Sequence, residues 1–243
     1  MTDDVENIVD GFTNDLRENV RKMVASLEGA SRTPQNILEN AERIQNIFDF
    51  TQGKMSEMFP PAESIACKQG CTYCCHLLFF TDALTVFLVA DRLQKTCSAD
   101  ALAALKSRLG EFIDNDYGVT QVPRPPCPVL ADGLCMAYDA RPLVCRAQNS
   151  LRLSECEEKY RGELDMVLAH DVPLRLWAVM LEGIKAGFAE AGLPGSESLE
   201  FVTALKIVLD TPSAMEMWIA GEPVFEPAQW TDANKNQPPT QTH

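Results

Sequence analysis

At 243 residues with 46% apolar side chains, the chain has hydrophobic material for one large or two small packed domains, which excludes an intrinsically disordered protein. Acidic side chains outnumber basic ones by 14, which argues against binding to nucleic acid or to an anionic membrane, since both demand an electropositive face. No apolar run approaches the roughly 20 residues of a membrane span, and Met1-Thr2-Asp3-Asp4-Val5-Glu6 lacks the basic and apolar regions of a secretory signal, so a cytoplasmic setting with reduced thiols is expected.

The first element is amphipathic. Residues 5–28 place Val5, Ile8, Val9, Phe12, Leu16, Val20, Met23, Val24 and Leu27 at three- and four-residue intervals, the stripe of a one-sided helix. Gly29 ends it, and Thr33-Pro34 starts a second helix carrying Ile37, Leu38, Ala41, Ile44 and Phe48. The two are expected to pair as an antiparallel hairpin over residues 1–60, closed off by Gly53 and Pro60-Pro61.

Residues 61–160 hold the chemistry. Cys67-Lys68-Gln69-Gly70-Cys71-Thr72-Tyr73-Cys74-Cys75-His76 packs four thiols and an imidazole into one short loop. After 51 residues come Cys127, Cys135, Cys145 and Cys156, separated by 7, 9 and 10 residues and set among Pro126, Pro128, Gly133 and Pro142. Between the two sets, Thr81-Asp82 caps a helix bearing Leu84, Phe87, Leu88 and Leu93, and Ser98 caps one bearing Leu102, Leu105, Leu109 and Phe112. Prolines and a glycine from Val122 to Pro142 leave room only for turns and short strands.

Thiolates are preferred ligands of zinc, copper(I) and iron–sulfur clusters, and their two- and three-residue spacing lets one loop wrap several sulfurs round a centre. Nine cysteines are an odd number and one pair is adjacent, so metal ligation is favoured over a disulfide framework. Cys97 has no companion and reads as a small half-buried residue outside the site.

Residues 161–221 return to helix. One stripe runs Cys156, Tyr160, Leu164, Val167 and Leu168; the next runs Leu174, Trp177, Leu181, Ile184 and Phe188 to Gly192-Leu193-Pro194. A helix near Leu199–Leu209 follows, then one after Thr211-Pro212 with Met215, Trp218 and Ile219, stopped at Gly221. Residues 222–243, with Pro223, Pro227, Pro238 and Pro239 among polar side chains, are expected to be a poorly ordered tail. The fold expected is mainly α: a single helical domain around a cysteine-rich, loop-dominated metal-binding core with at most short strands.

The segment CKQGCTYCC, the segment PCPVLADGLCMAYDARPLVCR and the cysteine ten residues beyond it resemble the CxxCxxCC cysteine-cluster family, described as zinc- or iron-chelating. The resemblance covers residues 67 to about 156 and includes the Pro-Cys-Pro step, the Gly133, Cys135, Tyr138 turn and Arg141-Pro142-Leu143-Val144-Cys145-Arg146. It implies metal ligation by Cys67, Cys71, Cys74, Cys75, Cys127, Cys135, Cys145 and Cys156. Some relatives look like flagellin lysine methylases that pair such a cluster with S-adenosylmethionine, which keeps an enzymatic role open.

Neighbouring side chains diverge, so Cys74 and Cys75 do not readily chelate one mononuclear zinc. Two centres, a bridging sulfur or a cysteine outside the ligand shell all resolve this. Eight sulfurs suit two tetrahedral zinc sites, or one four-iron cluster plus one zinc. Cys67, Cys71 and Cys74 also have the spacing of the radical S-adenosylmethionine signature, but the capped helices that follow are unlike its repeated strand–helix units. His76 reads as a hydrogen-bonding neighbour, Arg141 and Arg146 as structural support beside Cys145, and Tyr138 and Asp139 as loop ties.

Metal binding through an iron–sulfur cluster or zinc is therefore the leading expectation, with iron–sulfur preferred because the adjacent cysteines fit a multi-iron centre better. The alternatives are an iron–sulfur or S-adenosylmethionine-dependent modifying enzyme and a zinc-stabilised interaction module. The expected partner is the metal or cluster itself, without nucleic acid or membrane.

Overall fold

The computed structural model describes residues 2–115, 123–194 and 198–230. Within them the chain is mainly helical around one core, with nine α-helices and four two-residue strands. The helices are α1 (Thr2–Ala25), α2 (Pro34–Met58), α3 (Ala83–Thr96), α4 (Ala99–Asp114), α5 (Leu143–Ala147), α6 (Leu153–Arg161), α7 (Asp171–Ala191), α8 (Phe201–Asp210) and α9 (Ala214–Ile219).

Side-chain oxygens start several helices as expected. Thr33 accepts from the Asn36 N–H at 3.2 Å, Asp82 from the Thr85 N–H at 3.0 Å and Ser98 from the Ala101 N–H at 3.2 Å. Each supplies a partner to a donor that the first helical turn leaves bare. Residues 83–90 of α3 are all buried, so the first two turns of this helix are covered on every side and sit within the core. α2 and α8 pack on α3, α4 packs on α8, and α7 packs on α2 and α5.

The expected hairpin of α1 with α2 is corrected. α1 lies along α7 and touches α2 only marginally. Leu16, Val20 and Val24 of its stripe are buried, while Val5, Ile8 and Val9 lie outside the described side chains. Two glycines make the close approach possible. A Cβ added at Gly183 meets the Arg17 carbonyl oxygen at 2.6 Å, and one at Gly187 meets the Val24 Cβ at 2.5 Å, so only hydrogen fits there. Arg17 pairs with Glu182 at 3.0 Å, and Arg21 pairs with Glu190, across the same seam.

The helix expected to carry Cys156 through Leu168 ends early, at Arg161. Gly162 turns left-handed at φ +79°, and the Glu163 N–H folds back onto the Glu158 carbonyl at 2.9 Å.

Residues 222–230 also depart from expectation, because this part of the expected tail is packed. Phe225 is 2% exposed and its ring lies 5.4 Å from that of Phe87. Trp230 lies 4.6 Å from Phe80 and its N–H donates to Ser198 O at 2.9 Å. Phe225, Ala228 and Trp230 outweigh the prolines around them. Residues 231–243 lie outside the described residues, as does Val122 at the head of the second cysteine loop.

Strands β1 (Phe80–Thr81) and β4 (Leu199–Glu200) pair antiparallel, with Phe80 opposite Glu200. β2 (Leu130–Ala131) and β3 (Leu134–Cys135) form a hairpin with Leu130 opposite Cys135. Its two-residue turn puts Asp132 at φ +50° and Gly133 at φ +76°, the left-handed pair that an Asp-Gly step adopts most easily. No described helix is long and apolar enough to cross a membrane.

Candidate metal centre

The two cysteine sets meet where their loops exchange backbone hydrogen bonds. The Cys127 N–H donates to Cys75 O at 2.7 Å, and the Ala66 N–H donates to Ser150 O at 2.8 Å, so both ends of the first loop are tied to the second. A 3-10 turn, Tyr73–His76, carries Cys74 and Cys75 and packs against α6, which carries Cys156. Cys127 precedes β2, Cys135 ends β3 and Cys145 sits in α5.

All nine cysteines are free; Cys67 and Cys74 are exposed and the other seven half-buried. Burial pushes the Cys67 thiol up, and its neighbours Cys71, Cys74 and Cys156 add to the shift. Burial likewise raises Cys156, with Cys71 and Cys74 reinforcing it. Cys145 is raised well above the usual thiol range by burial and by Cys127, Cys74 and Cys135. Cys127 is pushed up to about 12 by burial, with a contribution from Cys135. Hydrogen bonding to the Cys75 thiol holds Cys74 up as well.

Thiols that raise one another in this way are crowded negative charge in waiting, and a cation is what relieves it. Some relief is built in. Backbone N–H groups of Ser150, Val129 and Ala137 act on the sulfurs of Cys67, Cys127 and Cys135 and favour their thiolates. The Arg141 guanidinium, held 3.9 Å over the Tyr138 ring, does the same for Cys74, Cys135 and Cys145.

Arg146 has a different task. Its side chain is 8% exposed and bonds Asp49 Oδ2 at 2.5 Å, Gln45 Oε1 at 2.9 Å and the carbonyls of Arg141 and Asp139. Gln45 in turn donates to Ala140 O and Arg141 O, both at 3.1 Å. α2 thereby clamps the loop between Cys135 and Cys145. His76 is a hydrogen-bonding neighbour: its Nδ1 lies 2.7 Å from Arg124 O, which can only accept, and its ring stands edge-on to Tyr160 at 4.7 Å. Cys97 is the residue that ends α3, and it packs against the core.

Ser150, Gln45, Asp49 and Tyr160 are parts of the site that spacing does not reveal. Gln45 leaves one trace, a polar residue directly beside Ile44 on the buried face of α2. A narrow cleft lies beside Cys75 and Cys127, walled by Phe79, Phe112, Arg124 and Glu200, with room for roughly one water-sized group.

As placed, no three or more His, Cys, Asp or Glu side chains among the described residues form a group that could hold a metal ion. The thiols are gathered without a closed coordination shell. Eight soft sulfurs on short loops, with N–H groups and a guanidinium that favour thiolate, are nonetheless the kind of donor that thiophilic metals take. No protein-family model, curated protein or solved structure matches the chain.

Proposed function

We propose that the chain is a metal-binding protein in which Cys67, Cys71, Cys74, Cys75, Cys127, Cys135, Cys145 and Cys156 hold an iron–sulfur cluster or zinc. The observation that supports this most is the meeting of two cysteine sets 51 residues apart, tied by the Cys127 N–H to Cys75 O bond. A packed core alone gives no reason to crowd eight thiols into loops. The resemblance to the CxxCxxCC cysteine-cluster family points the same way.

When bound, such a group supplies either electron transfer or a rigid cross-link between loops. The chain's own residues prepare for it. Arg141 offsets thiolate charge, the N–H groups of Ser150, Val129 and Ala137 favour deprotonated sulfur, and Arg146 with Gln45 fixes the loop between Cys135 and Cys145.

Iron–sulfur is the preferred form, because adjacent Cys74 and Cys75 fit paired or multi-iron centres better than one tetrahedral ion. Protein purified without oxygen is expected to be brown, to bleach on reduction and to contain iron and acid-labile sulfide. A colourless preparation with stoichiometric zinc and no sulfide moves the reading to a zinc-stabilised module. A fully folded chain that takes up neither metal refutes it.

A further inference from the structure

We infer that residues 60–70 form a flap that carries Cys67 off and onto the cysteine region, latched by the Glu63–Arg152 ion pair, and that this flap is the gate through which metal enters. The inference rests on the metal-binding reading above and gives that site its regulation.

The flap is built to come away. From Pro60 to Gly70 no residue is buried, and only Pro61 and Ala66 are as much as half covered. No apolar side chain between Met55 and Phe79 packs on the hydrophobic core, and Ile65 is 43% exposed. A segment with so few buried contacts opens locally without unfolding the rest.

Its two ends allow the movement. α2 stops at Met58, and the Pro60-Pro61 step that follows has no N–H with which to bond back to the body. At the far end Gly70 takes φ +85°, and the Cys71 N–H closes a tight turn on Lys68 O at 3.0 Å. Beyond that turn the chain is fixed, because the Tyr73–His76 turn packs on α6 and Cys75 O accepts from the Cys127 N–H. Cys67 thus travels with the flap while Cys74 and Cys75 stay behind.

On the body side the anchor is rigid. Ser150 is buried, and its hydroxyl donates to Arg152 O at 2.9 Å while accepting from the Arg152 N–H at 3.1 Å. From this turn Ser150 O takes the Ala66 N–H at 2.8 Å. The Arg152 guanidinium forks onto both oxygens of Glu63, Nη2 to Oε1 at 2.6 Å and Nε to Oε2 at 3.3 Å. Its Nη1 also reaches Glu155 at 3.3 Å, which keeps the guanidinium in place when Glu63 leaves. Arg152 and Glu63 are each about half exposed, so water and salt compete for the pair. A two-pronged but exposed pair of this kind shifts the balance of closed over open by up to about fivefold.

The test digests the full chain briefly with trypsin and follows cutting after Lys68, an exposed residue of the flap, by mass spectrometry. The protease needs the segment drawn clear of the body, so the rate tracks the open population. Arg152→Gln should raise it about three- to fivefold with the melting temperature unchanged. Salt at about 0.5 M should bring the wild type toward the same rate, and adding Glu63→Gln to Arg152→Gln should change nothing more. Zinc, counted per chain, should suppress the cut in the wild type and leave it in Cys67→Ser. Equal cutting of wild type and Arg152→Gln overturns the latch, and so does a parallel fall in melting temperature, which would make the opening global. Bound zinc that leaves Lys68 as open to trypsin as before overturns the gate. A chain that takes up no zinc or other metal overturns instead the reading on which the gate depends, and the latch comparison, made without metal, still decides whether the flap exists.

Discussion

Replacing Gly187 with alanine tests the seam on which α1 is held. The added Cβ falls 2.5 Å from the Val24 Cβ and 2.7 Å from the Arg21 carbonyl oxygen. Carbon atoms prefer about 3.5–4.0 Å, so the two helices must separate by on the order of 1 Å. One obstacle is backbone, which no rotamer change removes, and this places the overpacking penalty near the upper end of its usual range, about 3 kcal/mol. Alanine returns about 1 kcal/mol of helix propensity. The net loss of about 2 kcal/mol corresponds, for a domain of this size, to a fall in melting temperature of roughly 4–8 °C. Gly110→Ala in α4 is the control, because its Cβ meets nothing closer than the Lys206 Cε at 3.7 Å. That variant should gain about 0.5–1 kcal/mol. Thermal melting followed by circular dichroism, with urea unfolding alongside, compares the two. If Gly187→Ala melts at or above wild type, as Gly110→Ala should, then α1 is not seated on α7 in this way.

Other outcomes follow from single contacts. A chain ending at Glu222 loses Phe225 from the core and should fall by at least about 3 kcal/mol relative to one ending at Trp230, read by urea unfolding. Equal stability of the two would show that residues 223–230 are not packed. Asp82 is buried, and burial raises its carboxyl above the ordinary range. The folded chain therefore holds this proton more tightly than the unfolded one, and the resulting stability is present below about pH 4 and lost as pH rises through the raised value. Asp82→Asn, which keeps an acceptor for the Thr85 N–H, should flatten that decline; an unchanged slope across a pH series would refute the assignment. Arg146→Lys cannot reproduce the fork to Gln45, Asp49 and two carbonyls, and should cost about 1.5–3 kcal/mol together with part of the bound metal. Retention of both stability and metal would reduce the clamp to ornament.

Local chemistry was legible in the sequence and pairing was not. The caps at Thr33, Asp82 and Ser98 act within three residues, so the letters carry their meaning directly. The stripe of α1 declares that a face is covered without saying by what, and α2 is merely its neighbour along the chain. Gly183 and Gly187, four apart on α7, were the available sign that another backbone comes close. Phe225 and Trp230 were similarly outvoted by surrounding prolines, although two aromatic rings so close together had something to bury. In the cysteine region, spacing pointed to the thiols and to a stabilising part for Arg141 and Arg146. It did not separate them into a counter-charge and a clamp, because that difference depends on where α2 passes.

The partnership of α1 with α7 also has a consequence for how the chain comes off the ribosome. Arg17 and Glu182 are 165 positions apart. At about 5–20 residues per second, the first helix emerges roughly ten to thirty seconds before its partner exists. Throughout that interval Val20 and Val24 lack the cover that α7 gives them, and completion of the fold waits on the synthesis of α7.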